Sequence, residues 1–257
     1  MAVIGPLLAL RLLADPAVPL PADPLPALPL GERVRVDALA DALAAIADAR
    51  DDDDDVRAQW RDLVASHGAL DDDDGRREFV RVRLLFESLR DGGLWQLRWA
   101  ITNREPRSDA IWSQWSSWRG DAPGPDDATA TAECDELSAL FAHLARRLGV
   151  AHVGLFWPVW NHVVAVWTVP GTEGPVRVVV PTSQIFLPDD AGLGTLGFDP
   201  STQARIYDYR RRDVADGASL PRALAEHFVY LSWRYGTASP RWLQQRRNAT
   251  SARLGGS

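Results

Sequence analysis

The chain has 257 residues, enough for one sizeable domain or two small ones with a buried core. Hydrophobic residues make up 46% and charged residues 25%, a balance that excludes a collagen-like, coiled-coil or wholly disordered chain. The net charge of −7 argues against nucleic acid as the main partner, and a single cysteine excludes both an intrachain disulfide framework and a cysteine-based zinc cage.

All 28 cationic residues are arginine, a bias of coding composition rather than of phosphate recognition. Tryptophan is over-used, with 11 copies, most of them between Trp95 and Trp167. The apolar stretch Met1 to Ala14 has no basic residues ahead of it and is interrupted by Arg11, so it does not read as a signal peptide, and the cytoplasm is favoured. No run reaches the ~18–20 apolar residues of a membrane span. Asp15 to Leu30 carries prolines at 16, 19, 21, 24, 26 and 29 and is expected to be extended, either as a linker or as a strap over the domain.

From Glu32 the pattern turns helical, with Val36, Leu39, Leu43 and Ile46 on one face, and the run Asp51 to Asp55 ends it. A second acidic run, Asp71 to Asp74, precedes Phe79, Val82, Leu85, Phe86 and Leu89, again at helical spacing and closed by Gly92-Gly93. Neither acidic run has calcium-loop spacing, and both read as solvated loops. Leu94 to Ile101 has no clear type. Trp112, Trp115 and Trp118 repeat every third residue and suit one face of a short helix, the alternative being an aromatic shelf for a substrate. Asp121 to Ala128 is a loop by its prolines and glycine.

Leu137, Leu140, Phe141, Leu144 and Leu148 then make an amphipathic helix, with the preceding threonines available as N-caps and Gly149 as its stop. Three strand-like segments follow, Ala151 to Trp157, His162 to Val169 and Val176 to Val180, separated by Pro158 and by Gly171 to Pro175. A helix feeding an antiparallel meander is an α+β arrangement. A strand at Ala204 to Tyr209, a last helix from Leu220 to Tyr235 and a frayed tail complete the chain. The organisation expected is a Pro-rich segment 1–31, one domain over 32–245 with its core at 129–185, and a tail 246–257.

Chemistry concentrates in that core. Cys134 sits in the first turn of its helix, where unpaired N–H groups and the helix dipole favour a thiolate, although Glu133, Asp135 and Glu136 oppose ionisation. It therefore needs an imidazole. His162, opening the second strand, is the candidate partner for an ion pair that attacks acyl carbon and later protonates the leaving amine. A zinc site combining Cys134 with His143 or His152 is disfavoured. Asn161 belongs to the opposite face of the strand from His162.

Glu133-Cys134-Asp135-Glu136-Leu137-Ser138, Leu148-Gly149-Val150, Asn161-His162 at a strand start and Pro181-Thr182 after the third strand resemble the transglutaminase-like core of the papain-like cysteine enzymes. The resemblance spans about Thr129 to Ile185. It implies an α+β papain-like fold with helical additions before it, a nucleophilic Cys134 and a basic His162. It further implies a peptide or protein substrate whose amide bonds are cleaved or transferred through a thioester, without metal or cofactor. That family's third strand ends in an aspartate, replaced here by Val180. Gln184 is the preferred neutral substitute to orient the imidazole, with Thr182 and Ser183 as alternatives, and Asp189, Asp190 or Asp199 as acids that would restore a full triad. Hydrolysis is favoured over cross-linking. The rival readings are a binding or scaffolding module that lost turnover, supported by Val180, and an acyltransferase using a small thioester donor.

Overall fold

The computed structural model describes residues 22–89, 98–101, 129–132, 134–159, 162–180, 182 and 217–235. The helices within them are α1 (Val36–Ala49), α2 (Asp54–His67), α3 (Asp73–Leu89), α4 (Cys134–Arg147) and α5 (Arg222–Tyr235). The strands are β1 (Arg33–Arg35), β2 (Arg98–Ile101), β3 (Thr129–Ala132), β4 (Val153–Val159), β5 (His162–Val169), β6 (Val176–Val180) and β7 (Ser219–Pro221). β4, β5 and β6 form an antiparallel meander with β5 central, β1 pairs antiparallel with β7, and β2 pairs parallel with β3. Helices beside mainly antiparallel sheets are the α+β arrangement expected from the pattern.

Both faces of β5 are buried. Val163, Ala165, Trp167 and Val169 join the main core with Leu137, Leu140, Phe141 and Leu144 of α4. Val164 and Val166 join Phe156 and Val179 in a second cluster on the other face. A strand covered on both sides cannot alternate apolar with polar, which is why HVVAVWTV reads as an almost continuous apolar run.

The acidic runs have a structural role that a solvated-loop reading misses. Asp53 Oδ1 accepts from Val56 N–H at 3.2 Å, and Asp72 Oδ1 accepts from Gly75 N–H at 2.6 Å, so each aspartate caps a helix three residues upstream of its donor. Asp51 to Asp55 therefore marks the boundary of α1 and starts α2, a helix the sequence pattern did not announce because only Val56, Trp60 and Leu63 form its fully buried stripe. Asp71 accepts from Trp60 Nε1 at 2.7 Å. At the start of α3, the hydrogen bond to Asp74 and that carboxylate's charge raise the Arg77 pKa above the ordinary guanidinium value.

Other boundaries also differ. Thr129–Ala132 pairs with β2 as a strand instead of supplying a cap. Pro158 lies inside β4 rather than ending it, tolerated because β4 is at the edge of its sheet among the described residues and carries a bulge between Phe156 and Val159. Short strands Arg33–Arg35 and Ser219–Pro221 precede α1 and α5 where the helical pattern was read from Glu32 and Leu220. Their ladder is extended by Val36 N–H to Ala218 O and by Arg222 N–H to Glu32 O, both at 2.9 Å.

The described part of the Pro-rich segment is a strap. Asp23 pairs with Arg50 at 2.7 Å, its carbonyl accepts from Trp233 Nε1 at 2.9 Å, and Leu25 and Leu28 pack on the core. Arg222 donates to the carbonyls of Pro29 and Gly31. The tryptophan repeat 112–118, the loop 121–128, the strand expected at 204–209 and the tail 246–257 lie outside the described residues.

Candidate functional site

α4 forms where its sequence demands it. Leu137, Leu140, Phe141, Leu144 and Leu148 are buried along one face, and the helix ends at Gly149, whose φ of 90° suits a residue without Cβ. Val150 N–H bonds Ala145 O at 2.9 Å and Gly149 N–H bonds Arg146 O at 3.1 Å, the paired closure of a Schellman motif. Cys134 is its first residue, so its amide belongs to the unpaired N-terminal N–H groups of the helix.

Glu78 of α3 ties the far end of the helix to the sheet. Its carboxylate accepts from Ala151 N–H at 3.0 Å and from the Trp167 indole at 2.8 Å. Trp167 in turn packs with Trp60 and Phe79, at ring separations of 6.3 and 6.5 Å, so α2, α3 and β5 share one aromatic cluster. Gly75 packs closely there, since a Cβ would meet the Trp60 ring at 3.0 Å and the ring would have to give by a few tenths of an ångström.

The near end is set by Ser138. Its hydroxyl donates to Val163 O at 3.2 Å and shares a hydrogen bond with the Thr182 hydroxyl at 2.9 Å. Both hydroxyl residues are fully buried. Ser138 is one helical turn after Cys134, Val163 is one residue after His162, and Thr182 is two residues after Val180. At the other end of α4, Arg146 donates to Val153 O at 3.0 Å, and Val153 is the register partner of Trp167. α4 and β5 thus run in the same direction. One turn back from Ser138 is about 5.4 Å, and one residue back from Val163 is about 3.3 Å. The helix start at Cys134 and the strand start at His162 therefore both lie toward the same end of the sheet.

Which faces these positions occupy also follows from register. On β5, residues 163, 165, 167 and 169 face α4, while 164 and 166 lie on the other face. On β6, Val180 is the partner of Ala165 and is fully buried in the core toward α4. The bulge in β4 sits opposite the start of β5, where Val159 pairs with His162 after the register shift. Bulges increase local twist and re-aim neighbouring side chains.

Of the alternatives for orienting the imidazole, Thr182 is described, and its hydroxyl is engaged with Ser138 between helix and sheet. Gln184, Ser183, Asp189, Asp190 and Asp199 lie outside the described residues, as do Glu133 and Asn161. Ser138 belongs to the motif that carries the resemblance, which implies no role for it. The signal that distinguishes it is a polar residue placed one turn after the cysteine, among apolar positions of the helix. Among the described residues no group of three or more His, Cys, Asp or Glu side chains could hold a metal ion, and no helix is long and apolar enough to cross a membrane. No protein-family model, curated protein or solved structure matches the chain.

Proposed function

We propose that the chain is a cysteine-nucleophile enzyme built on a papain-like, transglutaminase-like core, acting on amide bonds of a peptide or protein. Cys134 gives its proton to His162, and the thiolate attacks the acyl carbon to form a tetrahedral oxyanion beside the N–H groups at the start of α4. Collapse breaks the C–N bond, and the imidazolium protonates the leaving amine. Water, deprotonated by the imidazole, then attacks the thioester and releases the acid and the thiol. Gln184 is the proposed neutral group behind the ring. The acyl group goes to water rather than to an amine in this reading, and no metal or cofactor takes part.

One observation carries the reading. The Ser138 hydroxyl gathers the early turns of α4, the first residues of β5 and the chain just after β6 at one end of the sheet. A second reading, a binding module without turnover, is favoured by Val180 filling the core where the family carries its acid.

Alkylation of the single cysteine separates the two. An ion-paired thiol ionises well below the ~8.5 of an ordinary thiol. Iodoacetamide at pH 6 is expected to modify native Cys134 at least about tenfold faster than the unfolded chain, with His162→Ala removing the difference. Accessibility is checked with an uncharged disulfide probe at pH 9. An accessible thiol that reacts at the unfolded rate, or a native rate unchanged by His162→Ala, overturns the enzyme reading.

A further inference from the structure

We propose that the buried Ser138–Thr182 hydroxyl pair is a positioning clasp that holds the start of α4 in register with the starts and ends of β5 and β6, and so sets the reactivity of Cys134. The inference rests on the cysteine-nucleophile reading and adds two residues to it. Three features of the pair support it. Both residues are fully buried. They belong to segments that are 44 residues apart in sequence. Ser138 also donates to Val163 O, the carbonyl adjoining His162, so one hydroxyl addresses both strands.

A comparison within the same molecule shows what is unusual here. The buried Ser232 donates at 2.7 Å to Phe228 O, one turn back on its own helix, which satisfies the hydroxyl locally. Ser138 instead reaches across to the sheet. Burying two hydroxyls that satisfy each other contributes little net stability over an apolar pair of the same shape. What the pair adds is direction. Apolar packing tolerates small slips of a helix over a sheet, whereas a hydrogen bond holds donor and acceptor at 2.9 Å with a restricted angle. One turn from the nucleophile, a slip of an ångström alters a cysteine–imidazole hydrogen bond and hence the thiolate population.

The test is the pH profile of Cys134 alkylation in the wild-type chain and in the double variant Ser138→Ala/Thr182→Val, which replaces both hydroxyls by apolar groups of similar size. The expected result is a cooperative thermal unfolding transition with a lowered midpoint, because Val163 O loses its donor, a rate at pH 6 about tenfold lower than wild type, and convergence of the two rates at pH 9–10, well into thiol ionisation. Thr182→Ser, which keeps the hydroxyl, is expected to retain the wild-type profile, while Thr182→Val alone moves toward the double variant. A fast wild type with an equally fast double variant overturns the clasp and leaves the enzyme reading intact. A wild type no faster than its unfolded chain removes both. If the double variant does not fold, the two single Thr182 variants decide, and identical profiles from them overturn the clasp.

Discussion

Replacing Val180 by aspartate restores, by sequence, the acid that the resembled family carries at the end of its third strand. The structure argues that this change damages the protein instead of improving it. Val180 is fully buried, pairs in register with Ala165 and packs in the core toward α4. Removing its buried side chain forfeits about 1.5–3 kcal/mol of apolar burial. Seating a carboxyl group there without a partner adds a desolvation cost of about 1–3 kcal/mol even if the group stays protonated, and more if it ionises. The sum, about 2.5–6 kcal/mol, is a large part of the 5–15 kcal/mol that holds an ordinary domain folded. Urea unfolding followed by tryptophan fluorescence is the assay. With a slope of about 1–3 kcal/mol per molar urea, the midpoint of Val180→Asp is expected to fall by at least about 1 M, with no gain in Cys134 alkylation. The destabilisation is also expected to grow as pH rises above the ordinary carboxylate range, because ionisation makes burial costlier. A Val180→Asp variant of unchanged stability whose cysteine reacts faster at pH 6 would refute the placement of Val180 in the core and put position 180 beside the imidazole.

Glu78→Ala strands the buried Trp167 indole N–H, and a loss of about 1.5–3 kcal/mol for that bond is expected in the same urea assay, while water replaces the carboxylate at the exposed Ala151 amide. Glu78→Gln is expected to recover only part of it, because one of its two terminal atoms becomes a donor facing a donor; full recovery would show that one of the two bonds is dispensable. Gly171→Ala puts a methyl group 2.5 Å from Gly174 O in the turn between β5 and β6, where Thr172 N–H and Leu70 N–H also tie the turn to the end of α2. It is expected to cost about 1–3 kcal/mol, read from the thermal midpoint, and an unchanged midpoint would show that the turn has room to open.

The elements of this protein that were legible in its sequence are those where one local signal dominates. α1, α3 and α4 announce themselves through apolar residues at helical spacing, and β5 and β6 through β-branched runs bounded by turn residues. Cys134 and His162 were legible as the first residues of a helix and a strand because those boundaries are set within a few residues of chain. α2 was not, since its narrow stripe follows an aspartate run whose function as a cap depends on a turn geometry that composition does not carry. Pro158 read as a break because proline donates no ladder bond; only the position of β4 at the edge of its sheet among the described residues makes it permissible. The site divides the same way. Residue types and order follow from the chain, but the meeting of Ser138 with Val163 and Thr182 depends on how α4 lies across β5 and β6. The face that Val180 occupies depends on a register that one residue of slip would reverse. Local spacing specifies which residues begin an element; side-chain burial across the sheet specifies which of them share a face, and that is decided only when the layers pack.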